Sequence, residues 1–112
     1  MAKRAQRPYS RYSREAAELL GQLIRQARIE RKLTAAALAQ RADLSRGLVI
    51  RIEKGDPGCA IGAVFEAAAV VGVRLFDADQ ATLTGMLNTQ KATLALLPRS
   101  ARVSNIKVKD DF

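Results

Sequence analysis

The stretch LTAAALAQRADLSRGLVIRIEKG, residues 33–55, decides how this chain folds. Two short apolar-periodic runs flank the break Asp43-Leu44-Ser45, and each run opens on a hydroxyl residue, Thr34 or Ser45. A Thr or Ser oxygen at a helix N-cap accepts a backbone N–H that would otherwise be orphaned. Leu33 precedes Thr34 and Leu38 follows it; Leu44 and Val49 stand in the same relation to Ser45. That is the spacing of a hydrophobic staple. With the start signal given twice, the stretch predicts two separate short helices joined by a sharp turn. Asp43 falls at the turn, and Asp tolerates a left-handed backbone better than most residues. Gly55 is a natural stop for the second short helix.

On a helical net, residues 45–54 divide into two sides. Leu48, Val49 and Ile52 form a core stripe, while Arg46, Gly47, Ile50, Arg51 and Lys54 fall on the other side. An inner apolar stripe with an Arg-rich outer face suits the DNA major groove, where Arg reads guanine bidentately and an aliphatic side chain touches the thymine methyl. Gly47 costs about 1 kcal/mol of helix propensity against alanine, which is easier to understand if a ligand comes close to the backbone there. The alternative is a merely charged, solvated helix face.

Outward from this centre, Ser13 is a candidate cap for a preceding helix, with Glu15 in its first turn. Its apolar stripe is Ala16, Leu19, Leu20, Leu23, Ile24 and Ala27, and it ends near Lys32. Asp56-Pro57-Gly58 reads as a turn. Ile61, Val64, Phe65, Ala68 and Val71 form a fourth helical stripe closed by Gly72, and Val73–Phe76 is a short apolar link. Residues 79–97 read as a fifth helix with Leu83, Met86, Leu87, Leu94 and Leu97 on its apolar face, stopped by Pro98. The expected fold is all-α: a five-helix domain with a flexible basic N-terminal arm and an extended C-terminal tail. The expected organisation is an arm over 1–14, the helix-turn-helix unit over 15–76, the fifth helix over 77–97 and the tail over 98–112.

The 112 residues suggest one small domain, and with 48% hydrophobic but only 4% aromatic residues the core must be built from Leu, Ile, Val and Ala. A net charge of +8 points to a polyanionic partner. Lys3, Arg4, Arg7, Arg11 and Arg14 give residues 1–14 a charge of +5 with no acid, more than half of the total. No apolar run approaches the roughly 18 residues of a membrane span, and the N-terminus lacks an apolar signal segment, so a cytoplasmic protein is expected.

Residues 20–76 resemble the Xre/Cro-type helix-turn-helix regulators of phages and bacteria. The residues that carry the resemblance are Leu20-Gly21, Ile24-Arg25, Arg28, Leu33-Thr34, Leu38-Ala39, Leu44-Ser45-Arg46, Val49, Arg51-Ile52-Glu53, Gly55 and Gly72-Val73. The resemblance implies a phage-repressor-like bundle of four to five helices whose third helix reads DNA, in a protein that binds a double-stranded operator as a homodimer. It places Arg46, Gly47, Ile50 and Arg51 toward the bases and Thr34, Ser45 and Lys54 toward phosphates. It makes Arg28 and Glu53 a structural salt bridge rather than DNA contacts. Two positions depart from the family pattern: Ala35 stands where Gln is usual, and Asp43 where Gly is usual. Leu83, Met86 and Leu87 of the fifth helix are the candidate dimer surface.

The stretch IEKGDPGCAIG and the ending LLPRSARVSNIKVKDDF look like one branch of this family, the HipB-like antitoxins. That resemblance implies a repressor of its own operon that binds a HipA-like kinase toxin. The tail is then the partner-binding segment, with Phe112 as apolar anchor and Asp110 and Asp111 as charged rim. The alternatives are a stand-alone repressor, or a coactivator or RNA-binding bridging protein on the same fold. For the tail itself, the alternative is a solubilising end. The N-terminal arm either follows the DNA backbone or enters the minor groove, as basic arms do, or is only a solubilising extension.

An enzyme is not expected: the chain has no histidine and one cysteine, Cys59, in an apolar context that suits a core residue better than a nucleophile. There is no phosphate-cradling glycine loop and no metal-ligand spacing, so no cofactor or metal is expected. A membrane-surface role is disfavoured, because the basic arm lacks the bulky apolar face of an interfacial helix.

Overall fold

A computed structural model describes residues 8–101, with α1 over Arg11–Glu30, α2 over Ala35–Ala42, α3 over Arg46–Glu53, α4 over Ile61–Val71 and α5 over Gln80–Ala95; a 3-10 turn covers Leu75–Asp77. The fold is all-α, and the described residues contain no strand. The chain divides into two compact units, Met1–Asp77 and Ala78–Phe112.

In the first unit, α2 packs on α3 and α4, and α1 packs on the same two helices. The shared core consists of Ile24, Leu38, Ala39, Ala42, Val49, Ile52, Ala67, Ala68 and Val71, with Leu20, Ala27, Leu33, Leu44 and Leu48 packed around it. Ile24, Leu38, Val49 and Val71 are fully buried, each adding about 1.5–3 kcal/mol of apolar transfer. The alanines bring the helices close. So does Gly21, where a Cβ would run into the Ile52 carbonyl oxygen and lie 3.0 Å from that of Glu53.

Both short helices are capped as the sequence reading anticipated. Thr34 Oγ1 accepts from Ala37 N at 3.0 Å, and Ser45 Oγ accepts from Leu48 N at 3.1 Å. The staple residues Leu38 and Val49 are fully buried and Leu33 and Leu44 partly so.

The helices of this unit end alike. Lys32, Asp43, Gly55 and Gly72 each take a left-handed φ, between 58° and 81°. The next residue then reaches back five positions: Leu33 N to Arg28 O, Leu44 N to Ala39 O, Asp56 N to Arg51 O and Val73 N to Ala68 O, at 2.9–3.1 Å. This is the six-to-one bond of a Schellman stop. Asp43 serves where a glycine is common because its short polar side chain makes the left-handed region less costly.

The expectations for α1 need correction in two places. The helix starts at Arg11 rather than after Ser13, because Ser10 is the N-cap and its side chain accepts from Ser13 N at 3.1 Å. Arg11 and Arg14, assigned to a mobile arm, therefore stand on a helix. Leu19 and Leu23, assigned to the core stripe, are exposed, at 58% and 42%, and Ala16 is exposed too. The buried side of α1 runs through Leu20, Gly21, Ile24 and Ala27, since Gly21 must lie flat on the α3 backbone. Glu15 consequently lies in the second turn of α1 and not in the first, where it accepts from Arg11 Nε at 2.9 Å.

In the second unit, Asp79 caps α5 by accepting from Thr82 N at 2.9 Å, and Leu96 closes it ahead of Pro98. Leu83, at i, i+3 and i+4 with Met86 and Leu87, shares their helix side; Met86, Leu87 and Leu94 are exposed. The residues from 102 onward, including Asp110, Asp111 and Phe112, lie outside the described part of the chain, as do residues 1–7 of the arm.

Candidate nucleic-acid interface

α3 keeps its two faces apart. Val49 and Ile52 are buried and Leu48 is half-buried, so the inner stripe is spent on the core. Arg46, Gly47, Arg51 and Lys54 are exposed and Ile50 is half-buried. Arg46 with Ile50, and Gly47 with Arg51, are pairs four apart, which places all four on one outer arc of the helix. The structure thus brings together the residues that the sequence marks as base-facing. At Gly47 an added Cβ would meet nothing within 4 Å. No internal packing requires glycine there, and the bare backbone faces open space.

Thr34 and Ser45 stand at the N-termini of α2 and α3, exposed. Each uses its side-chain oxygen as an acceptor for the cap, which leaves the hydroxyl hydrogen to donate. The first-turn amides of the two helices add further donors suited to a phosphate. Lys54 is the C-cap of α3, at the other end from Ser45.

Between α1, α2 and α3 lies a shallow cleft of about 240 Å³ lined by Arg25, Arg28, Ala35, Ile50, Glu53 and Lys54. Ala35 lines it with a short side chain. Arg25 joins the cleft with Lys54 and was not assigned a role from sequence. Its signal was present, one turn before Arg28 on a helix that touches α3.

Arg28 and Glu53 form a two-pronged ion pair that ties α1 to α3. Arg28 Nε donates to Glu53 Oε2 at 2.6 Å and Nη2 to Oε1 at 2.9 Å, while Nη1 donates to the Leu33 carbonyl at 2.8 Å. The side chains are only 13% and 7% exposed. The hydrogen bond to Glu53 raises the Arg28 pKa above its ordinary value, against the opposing effect of burial. Although Arg28 and Glu53 border the cleft, they are engaged with each other and, through Nη1, with the Leu33 carbonyl.

A second ion pair was not foreseen. Arg51 Nε donates to Asp56 Oδ2 at 2.8 Å, and Asp56 Oδ1 accepts from Gly58 N at 2.8 Å. The bond from Gly58, and then the one from Arg51, lower the Asp56 pKa; the same pair raises that of Arg51. Cys59 is partly buried, and burial pushes its thiol pKa up, the opposite of what an activated nucleophile needs. Among the described residues, no helix is long and apolar enough to cross a membrane.

Capped helices α2 and α3, a left-handed turn between them, and a basic outer face on the second define a helix-turn-helix unit. A model of the helix-turn-helix domain family matches residues 19–84, more than half of the chain, and the chain belongs to that family. It is a DNA-binding regulator of the Xre-like kind. No curated protein and no solved structure gives a significant match.

Proposed function

We propose that the chain is a sequence-specific transcriptional repressor that binds a palindromic duplex operator as a homodimer. The observation that carries this reading is the division of α3 into a buried stripe of Val49 and Ile52 and an open arc of Arg46, Gly47, Ile50 and Arg51. A helix held by one face presents the other to the major groove, with Arg46 and Arg51 toward guanine edges and Ile50 toward a thymine methyl. Thr34, Ser45 and Lys54 contact phosphates and fix the register. The side of α5 that carries half-buried Leu83 and exposed Met86 and Leu87 supplies the dimer contact, isologous as two-fold symmetry requires. Half-sites then lie about one helical turn, ~34 Å, apart.

Selection from a random duplex library, followed by competition binding, tests this. Arg46→Ala is expected to lose about 1–3 kcal/mol of preference at one base pair, whereas Lys54→Ala weakens binding evenly and lowers the salt slope by about 1. Equal affinity of the unmutated chain for every duplex would remove the repressor reading and favour a bridging or RNA-binding role.

A finer reading, favoured by IEKGDPGCAIG and the ending LLPRSARVSNIKVKDDF, makes this repressor the antitoxin of a HipA-like kinase toxin. Asp110, Asp111 and Phe112 are then its contact residues. Capture from nuclease-treated extract of the native cells tests it: a kinase held by the full chain and lost from one ending at Leu97 supports the antitoxin. No kinase with either leaves the stand-alone repressor.

A further inference from the structure

At three of the four Schellman stops the residue after the left-handed turn is apolar: Leu33, Leu44 and Val73 are each packed against the core cluster. After α3 the same position holds a carboxylate, Asp56. The φ of +81° at Gly55 turns the chain back along α3, so that Asp56 N donates to the Arg51 carbonyl at 3.1 Å. Asp56 is then tied three ways: its amide to the Arg51 backbone, Oδ1 to Gly58 N, and Oδ2 to Arg51 Nε. A flexible arginine is held by a rigid acid.

The manner of holding matters. A guanidinium is a planar fork of five N–H donors. The bond to Asp56 uses Nε, on the side nearest the chain, and engages neither Nη1 nor Nη2, which together form the adjoining edge of the group. Two parallel donors on one edge are what guanine O6 and N7 accept. An exposed arginine on its own loses rotamer freedom when it docks; one already held loses less. A negative charge beside a DNA-facing helix also works against the phosphates, so Asp56 lowers general affinity for any duplex.

We infer that Asp56 is a positioning residue for DNA reading: it orients Arg51 so that α3 prefers guanine at one position, and it weakens sequence-independent binding. The inference rests on α3 being the reading helix.

The test uses the full chain, the best duplex from a random-library selection, variants of that duplex at each base pair, and an unrelated duplex of equal length. Asp56→Ala and Asp56→Asn are compared with the unmutated chain; the asparagine variant keeps one acceptor and so cannot serve Gly58 and Arg51 on separate oxygens. Preference at one G·C pair is expected to fall about three- to tenfold, within the range of one bidentate contact, while the unrelated duplex binds more tightly. In an Arg51→Ala background, Asp56→Ala is expected to leave the preference profile unchanged. An unaltered profile in both single variants, an equal change on all duplexes, or a further loss of preference without Arg51 would overturn the inference. An unmutated chain with no preference for any duplex would instead overturn the repressor reading, and this inference with it.

Discussion

Arg28 of α1 spans to Glu53 of α3 through two parallel N–H···O bonds and spends its remaining terminal nitrogen on the Leu33 carbonyl, so one guanidinium fastens the first helix, the third helix and the loop before the second. Removing one partner leaves the other charge largely buried and unpaired. Glu53→Ala is expected to lower stability by about 3 kcal/mol, measured by urea unfolding. Replacing both residues by methionine is expected to lose less than the single change, because no orphaned charge remains. A Glu53→Ala midpoint equal to that of the unmutated chain would show the pair to be dispensable.

Gly21 lies against the α3 backbone, with no room for a side chain. Gly21→Ala puts a methyl into the Ile52 carbonyl, and neither backbone can yield without separating the helices. A loss of about 2–3 kcal/mol is expected from this overpacking, although alanine is by itself the better helix former. A variant that melts higher would mean the helices sit farther apart in solution.

Leu87 lies on the exposed apolar side of α5 with Met86. Leu87→Arg is expected to convert a sedimenting dimer to monomer without lowering the melting temperature of the helix-turn-helix unit. A dimer that persists would move the contact elsewhere, and the exposed Leu19 and Leu23 of α1 would be the next place to substitute.

Asp56 is expected to titrate below its ordinary value of 3.8, held down first by Gly58 N–H and then by Arg51. Because the folded-state value is the depressed one, its contribution to stability is fully present above pH 3.8 and is lost as pH falls through the folded value. In Arg51→Ala the carboxyl pKa is expected to rise while staying below 3.8, since the Gly58 bond remains. Carboxyl NMR titration reads both. No movement on removing Arg51 would mean the pair is not kept in solution.

The short helices could be read from the chain because each carries its start signal locally: Thr34 and Ser45 cap, and the apolar residues on either side staple. Asp43 could be read as a turn for the same reason. The face of α1 could not, because counting apolar side chains gives Leu19 and Leu23 more weight than Gly21, whereas the close approach of α3 favours the residue with no side chain. The start of α1 was missed by one turn because Ser10 and Ser13 are equally good caps, and Ser13 turns out to supply the amide that Ser10 accepts. Arg28–Glu53 followed from family resemblance, not from spacing, since 25 residues separate the partners. Arg51–Asp56 escaped notice because no helical period joins positions five apart; only the reversal at Gly55 brings them together.

The division of labour on α3 has a consequence for descent. Val49 and Ile52 anchor the helix, and Arg46, Gly47 and Ile50 carry none of that anchoring duty to the same degree. Duplicate copies of the gene could therefore drift apart in what they recognise one outward residue at a time, each intermediate still folding. Position 51 is the exception: with its guanidinium fastened to Asp56, it can be exchanged freely only in company with its acid, and the two positions are expected to diversify as a unit.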